Sequence, residues 1–343
     1  MAVPIGSTVV CPKLIGRTFH VEALLDRIDR LRNGKGQIVT IGGDAGVGKS
    51  RLVSETKAIA GARGLRILQG NCFEYDHSLP YGPILDLLRE RFSRCTSPEL
   101  HAYLGSTAPE IVKLLPELAN LLQDIEPSPA LEPEQEKRRL FSTLVRLFDQ
   151  LIGNQPTLIV LEDLHWSDDT TLEFLLRLTY QIAHSSFLLL LTFRTGEQAA
   201  PLSLFLAELN RRRVAMGWVL SPLTPTETGE MVQAIFDFRR PAQPEFLNAI
   251  HQLTEGNPFF IEEVLKDLVA SEGIHYEGGI WIDKPVEELQ IPGSILDAVQ
   301  RRFQLLDAPA RSVLSMAAVA GRRFDFSLLQ QLTSLNEEGC CGN

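Results

Sequence analysis

The residues with the clearest chemistry form one run, Gly43-Asp44-Ala45-Gly46-Val47-Gly48-Lys49-Ser50. Glycine, four residues, then Gly-Lys-Ser is the spacing of a phosphate-binding loop. Glycines at 43, 46 and 48 let the backbone turn until successive N–H groups face one point. A helix starting at the end of the loop, with Arg51 in its first turn, adds free N–H groups and a positive dipole end. Lys49 supplies a mobile positive charge for the β- and γ-phosphates of a nucleotide, and Ser50 a hydroxyl for Mg²⁺. Glu162-Asp163 is the second cluster, placed directly after an apolar run. An acid there can hold Mg²⁺ directly or through water. Neighbouring strand residues point to opposite faces. Counted along the run, Glu162 takes the metal position and Asp163 orients the attacking water, with the reverse assignment open. Arg194 follows another apolar run; its guanidinium matches the oxygens of a γ-phosphate, a surface ion pair being the plainer reading. The catalytic candidates are therefore Lys49, Asp163 and Arg194. His165 and Trp166 suit packing as well as chemistry and are assigned none.

These groups need elements to hold them. Gln37-Ile38-Val39-Thr40-Ile41 is β-branched and apolar, the form of a buried strand, and a helix is expected from Arg51 to Ala62. An amphipathic helix through Leu24, Leu25, Ile28 and Leu31 precedes them. Strands are expected at 65–70, 157–161, 186–193 and 214–220, and helices at 140–152, 170–182 and 201–212, with helical patterns from Pro83 to about Leu122 and a proline-rich loop from Ile125 to Pro133. Strands alternating with helices imply a mostly parallel sheet covered on both faces. Ligands of such sheets bind beyond the carboxyl ends of the strands, where the loop, the acid pair and Arg194 all fall. After Pro222 the pattern turns helical, at 225–238, 243–254 and 258–271. A hairpin at 274–282 and helices at 293–306 and 309–319 follow. The expected fold class is thus α/β. Its divisions are an irregular segment 1–14, a phosphate-loop core 15–222, a helical stretch with hairpin 223–290, a further segment 291–335 and a tail 336–343.

Composition narrows the function classes. The 343 residues are 44% hydrophobic and 22% charged, ordinary for soluble domains. A net charge of −10 disfavours a chain-wide nucleic-acid surface. The five cysteines lack zinc or Cys-x-x-Cys spacing and read as reduced thiols. No signal peptide and no membrane-length apolar run is seen, so a cytoplasmic location is expected.

With these residues in place, the chain resembles the STAND class of AAA-related signal-transduction ATPases, in particular the ATPase region of large ATP-binding LuxR-type transcriptional regulators. The likeness spans about 12–335. It rests on Ile15-Gly16-Arg17, the phosphate loop, Leu79-Pro80-Tyr81-Gly82-Pro83, Leu161 to Asp168, Thr192-Phe193-Arg194 and Glu255-Gly256-Asn257-Pro258-Phe259-Phe260. It implies that Ile15 to Arg17 line an adenine pocket, that Pro258 contacts the nucleotide from the lid, and that Arg194 is a sensor arginine. It also implies ATP/ADP and Mg²⁺ as cofactors, a resting ADP form, an open and self-associating ATP form, and a winged helix over 292–335. Two features depart from the pattern. Glu162 stands where Asp is also common, and the acid usual after Gly-Arg is delayed to Glu22. The sequence given ends at Asn343 without the family's sensor repeats or helix-turn-helix, which leaves a fragment, a truncated frame and a stand-alone module as readings.

The expected function is a slow, nucleotide-driven switch. A phosphotransferase acting on a small molecule is the alternative enzyme. A compact DNA-binding regulator is the third class, disfavoured by the charge and by apolar positions Ile295, Leu296, Val299, Phe303, Val313, Leu314 and Met316, which are expected to pack. A GTPase is disfavoured because no Asn-Lys-x-Asp motif occurs.

Overall fold

The structure is a computed structural model. It describes residues 9–31, 34, 36–74, 80–122, 125–126, 128–153, 155–179, 185–236, 242–270, 274–277, 280–283 and 308–320. The chain opens with α1 (Thr18–Leu31), β1 (Gln37–Gly42), α2 (Lys49–Ala62) and β2 (Arg66–Asn71). Then come α3 (Gly82–Phe92), α4 (Ser97–Leu104), α5 (Ala108–Leu114) and α6 (Pro133–Ile152). The core closes with β3 (Thr157–Glu162), α7 (Asp169–Thr179), β4 (Phe187–Thr192), α8 (Ala200–Arg212) and β5 (Ala215–Val219).

The five strands form one sheet in the order β2-β3-β4-β1-β5, and every pairing is parallel. Side-chain alternation divides the strands cleanly. Ile38, Leu68, Ile159, Leu161, Leu189 and Leu191 face the core built with α3 to α8. Val39, Ile41, Leu158, Val160, Leu188 and Leu190 face the core built with α1 and α2. Burial on both faces explains why β3 and β4 read as unbroken apolar runs. The chain folds as the α/β P-loop type that the loop and the strand–helix alternation imply.

Beyond the sheet, α9 (Pro225–Phe236), α10 (Pro244–Thr254) and α11 (Pro258–Ala270) form a helical unit with its own apolar cluster, including Met231, Val232, Phe246, Ile250, Ile261 and Leu265. Val9 and Cys11, from the irregular N-terminal segment, pack into this cluster. An antiparallel pair, β6 (Ile274–Glu277) and β7 (Ile280–Asp283), and a helix at Ala308–Ala320 complete the described chain.

Two expectations shift. Pro133, read as loop, starts α6, because a proline is tolerated at the first helical position where no N–H bond is needed. Leu314, expected to pack, is exposed. On a helix it lies about 100° around from Val313, while Val313, Met316 and Ala317 share the better-covered side. The expected helix at 293–306 and most of the winged-helix span, with Ile295, Leu296, Val299 and Phe303, lie outside the described residues.

The approach of α3 to edge strand β2 depends on Gly70. A Cβ there would lie 2.0 Å from the Pro83 carbonyl oxygen, whereas one at Gly61 in α2 meets only Ile67 Cδ1 at 3.7 Å. Gly70→Ala should therefore destabilise the fold by about 1–3 kcal/mol. Gly61→Ala should stabilise it by about 0.5–1 kcal/mol by lowering the entropy of the unfolded chain. Urea midpoints of the two variants check this, and shifts of the same sign would contradict the packing of α3.

Candidate functional site

β1 ends at Gly42 and α2 begins at Lys49, so Gly43 to Gly48 must carry the chain from strand to helix. Gly43, Gly46 and Gly48 all have positive φ. At Gly46 space is limiting as well: a Cβ would lie 2.7 Å from Asn257 Oδ1 and 2.7 Å from Phe259 Cβ.

Every carbonyl from Gly43 to Val47 accepts a hydrogen bond. Lys49 Nζ donates to the oxygens of Gly43 (2.7 Å) and Asp44 (2.9 Å). Asn257 Nδ2 donates to Ala45 O (2.9 Å). The Phe259 N–H donates to Gly46 O (3.3 Å). Arg17 Nη2 donates to Val47 O (3.1 Å) and to Ser221 O (2.6 Å). In a trans peptide C=O and N–H point opposite ways. With the carbonyls held by these donors, the loop's N–H groups are turned away from them, as an anion-binding loop requires. The Val47 N–H closes a turn onto Asp44 O (3.4 Å). Lys49 is buried, and burial pulls its pKa down while Asp163 pushes it back up.

The two acids diverge. Glu162, the last residue of β3, accepts from Gln69 Nε2 at 3.0 Å. Asp163 has left the strand: its φ is 60°, in the left-handed region, and its N–H donates to Thr192 Oγ1 on β4 (3.0 Å). The expectation that strand alternation separates the pair is corrected here. A left-handed turn separates them, sending Asp163 to the wall shared with Lys49 and Arg194. Burial raises both carboxyl pKa values; Arg194 and Lys49 oppose it at Asp163, and Ser50 and Lys57 at Glu162.

Arg194 Nη1 donates to both carboxylate oxygens of Glu197, at 2.9 and 3.0 Å. Its guanidinium also lies over the Trp166 ring, 4.8 Å from the centroid. The His165 ring is wholly buried, with Nδ1 3.8 Å from Asp163 Oδ1 and Nε2 3.6 Å from Glu197 Oε2. His165 and Trp166, assigned no chemistry from sequence, are thus the packing that holds Asp163, Glu197 and Arg194 near one another. Their place directly after Asp163 was a signal only once a single 3₁₀ turn, Leu164–Trp166, folded them back.

A cavity of about 350 Å³ brings together part of this set; Glu162 is not in its lining. Its lining runs from Ala45 to Arg51 and includes Asp163, Arg194, Arg17 and Pro258. Gly43 and Asp44 lie behind the lining as acceptors for Lys49. Gly16 does not line the cavity; a Cβ on it would lie 2.5 Å from Glu227 Oε1. Cys11, which sequence reading passed over, also lines the cavity, and its backbone is gripped on both sides. Its N–H donates to Glu262 Oε1 of α11 (2.9 Å), and its carbonyl accepts from Arg51 Nη2 of α2 (3.1 Å).

Comparison with known proteins agrees with this geometry. Residues 13–191 match the AAA ATPase domain family, and residues 230–280 match a domain of unknown function. An uncharacterized protein of Rhizobium meliloti (strain 1021) is 27% identical over 93% of this chain, which spans 31% of that protein's length. Among solved structures, the ORC2 protein of Aeropyrum pernix, determined as ADPNP–ADP complexes, is similar with a TM-score of 0.60 at 16% identity, over 96% of this chain and 82% of that one. A STAND protein with a tetratricopeptide repeat sensor from Pyrococcus horikoshii aligns at a TM-score of 0.38 and 15% identity, over 91% of this chain and 36% of that one.

Arg17 is the tie between the loop and the end of β5. Arg17→Met should strand the carbonyls of Val47 and Ser221 and lower stability by about 1–3 kcal/mol. Arg17→Lys, which keeps the charge without the planar fork, should fall between. Denaturant midpoints at constant m report it; a wild-type midpoint for Arg17→Met would contradict the tie.

Proposed function

The chain belongs to the AAA ATPase domain family, and from that membership we propose that it binds Mg²⁺-ATP in this cavity, hydrolyses it slowly and acts as a nucleotide-driven switch. The observation that carries the switch is contact between α11 and the phosphate loop: Asn257 and Phe259 hydrogen-bond to Ala45 and Gly46. A change in the phosphate site is felt directly by the helical unit, which in this reading is the lid. In the finer form of the proposal the chain is the ATPase module of a STAND-class, LuxR-type transcriptional regulator, self-associating in the ATP state. The adenine nucleotides named for the Aeropyrum pernix ORC2 structure support the choice of base.

The roles follow from charge and reach. The backbone from Gly43 to Arg51 takes the phosphates, with Lys49 between β and γ. Ile15, Arg17 and Pro258, which line the cavity, flank the base. The donor set suits Mg²⁺: the hydroxyl of Ser50 and the carboxylate of Glu162 are oxygen donors of the kind it takes, near enough for Ser50 to lower the Glu162 pKa, and this ion keeps few protein ligands. Among the described residues no group of three or more His, Cys, Asp or Glu forms an all-protein cage. Bound Mg²⁺ supplies positive charge to the phosphate oxygens. Asp163 orients the attacking water and accepts a hydrogen bond from it. Arg194, shared with Glu197 and Trp166, reads the γ-phosphate and distinguishes ATP from ADP. DNA contact is assigned to other parts of such a regulator, because this chain carries −10. Among the described residues no helix is long and apolar enough to cross a membrane.

Thermal unfolding with ATP, ADP or GTP, with and without Mg²⁺, tests the reading. ATP or ADP at a hundredfold excess over its Kd should stabilise the chain by about 2.7 kcal/mol, and GTP clearly less. Equal shifts for both purines would overturn the adenine assignment. Lys49→Ala should abolish tight ATP binding. Asp163→Asn should keep Mg²⁺-dependent binding and slow turnover, whereas Glu162→Gln should lose the Mg²⁺ dependence. The opposite pattern would reverse the two acids.

A further inference from the structure

Asn257, whose bond to the loop was noted above, makes two different contacts with one side chain. It precedes α11, and its Oδ1 accepts the N–H of Phe259 at 3.1 Å, the position of a helix N-cap. Its Nδ2 donates in the other direction, to Ala45 O in the phosphate loop at 2.9 Å. Both ends of the amide are thereby specified: the oxygen faces a donor and the nitrogen an acceptor. The Phe259 N–H is itself shared with Gly46 O at 3.3 Å, and Gly46 has no room for a Cβ beneath this contact.

We propose that Asn257 is a positioning residue for phosphate binding: its amide, carried by the lid, fixes the direction of the Ala45–Gly46 peptide in the phosphate loop. The reasoning is geometric. That peptide contains the Ala45 carbonyl and the Gly46 N–H, which point opposite ways. Holding the carbonyl toward α11 aims the N–H away from the lid, toward the side on which a phosphate is bound. A glycine-rich loop has little intrinsic preference between the two peptide directions, because glycine visits both signs of φ readily. The remaining carbonyls are held from within the core by Lys49 and Arg17. The stretch Ala45–Gly46 alone takes its donors from the lid. Lid docking and phosphate affinity are then linked, and linkage is reciprocal: what docks the lid tightens the phosphates, and phosphates favour the docked lid. The inference rests on the nucleotide reading of the cavity given above.

The cap and the donor can be separated by substitution. Asn257→Ser keeps an oxygen for the Phe259 N–H but is too short to reach Ala45. Asn257→Asp also keeps the cap and replaces the donor with an acceptor. Asn257→Leu has a similar shape and neither function. Calorimetric titration with ADP and Mg²⁺ is paired with urea unfolding of the nucleotide-free chain and amide exchange over 43–50. Asn257→Ser should stay folded, with a urea midpoint lowered by no more than one carbonyl without its donor accounts for, yet bind ADP roughly three- to tenfold more weakly and exchange faster over 43–50, the scale of one lost hydrogen bond. Asn257→Asp should lose more. Wild-type ADP affinity in a folded Ser or Asp variant would overturn the proposal. So would weaker binding that only tracks lower stability of the nucleotide-free chain, because that is a capping effect. Failure of the wild-type chain to bind ADP would instead overturn the nucleotide reading itself.

Discussion

The structure depends on what happens to five backbone carbonyls. A phosphate loop must present N–H groups, so its carbonyls must go elsewhere, and a buried carbonyl left without a donor costs about 1–3 kcal/mol. Here the donors come from three parts of the chain: Lys49 at the start of α2, Arg17 ahead of α1, and Asn257 with Phe259 at the start of α11. The sheet sets the position of the loop, and these donors set its direction. The same bonds draw the N-terminal segment and the helical unit onto the core. Satisfying one loop therefore helps to assemble the molecule.

Charge is distributed around the cavity in a related way. Burial pulls the Lys49 pKa down and Asp163 opposes it, and Arg194 is held by Glu197 and the face of Trp166. Both of these positive groups have protein partners. In the proposed reading a triphosphate competes for Arg194 with Glu197, and for Lys49 with two carbonyls of its own loop. The wholly buried His165, between Asp163 and Glu197, joins the two partners mechanically.

Much of the core was legible in the sequence, because its signals are local. The run into Gly43, the glycine spacing and the following helix predict one another. The apolar runs of β3 and β4 show burial on both faces, and the ends of the strands bring Glu162, Asp163 and Arg194 to one edge. What was not legible depends on contacts between distant residues. Nothing near Ala45 announces that Asn257 will donate to it, and nothing near Cys11 announces that Glu262 and Arg51 will grip its backbone. Period-two alternation failed at Asp163 because the residue had already turned left-handed, a choice made by its bond to Thr192. Trp166 could not be placed without the turn that carries it under Arg194.

The central claim is that the loop's N–H groups form the anion site because its carbonyls are held elsewhere. Amide NMR of the isotope-labelled chain tests it most directly. Titration with Mg²⁺-ADP should shift the amide protons of Gly46, Gly48 and Lys49 downfield together, as charge-assisted bonds to phosphate form. Resonances of donors outside the loop, such as the Asn257 side-chain amide, should persist. Saturable ADP binding that leaves the Gly46, Gly48 and Lys49 amides unmoved would contradict the account.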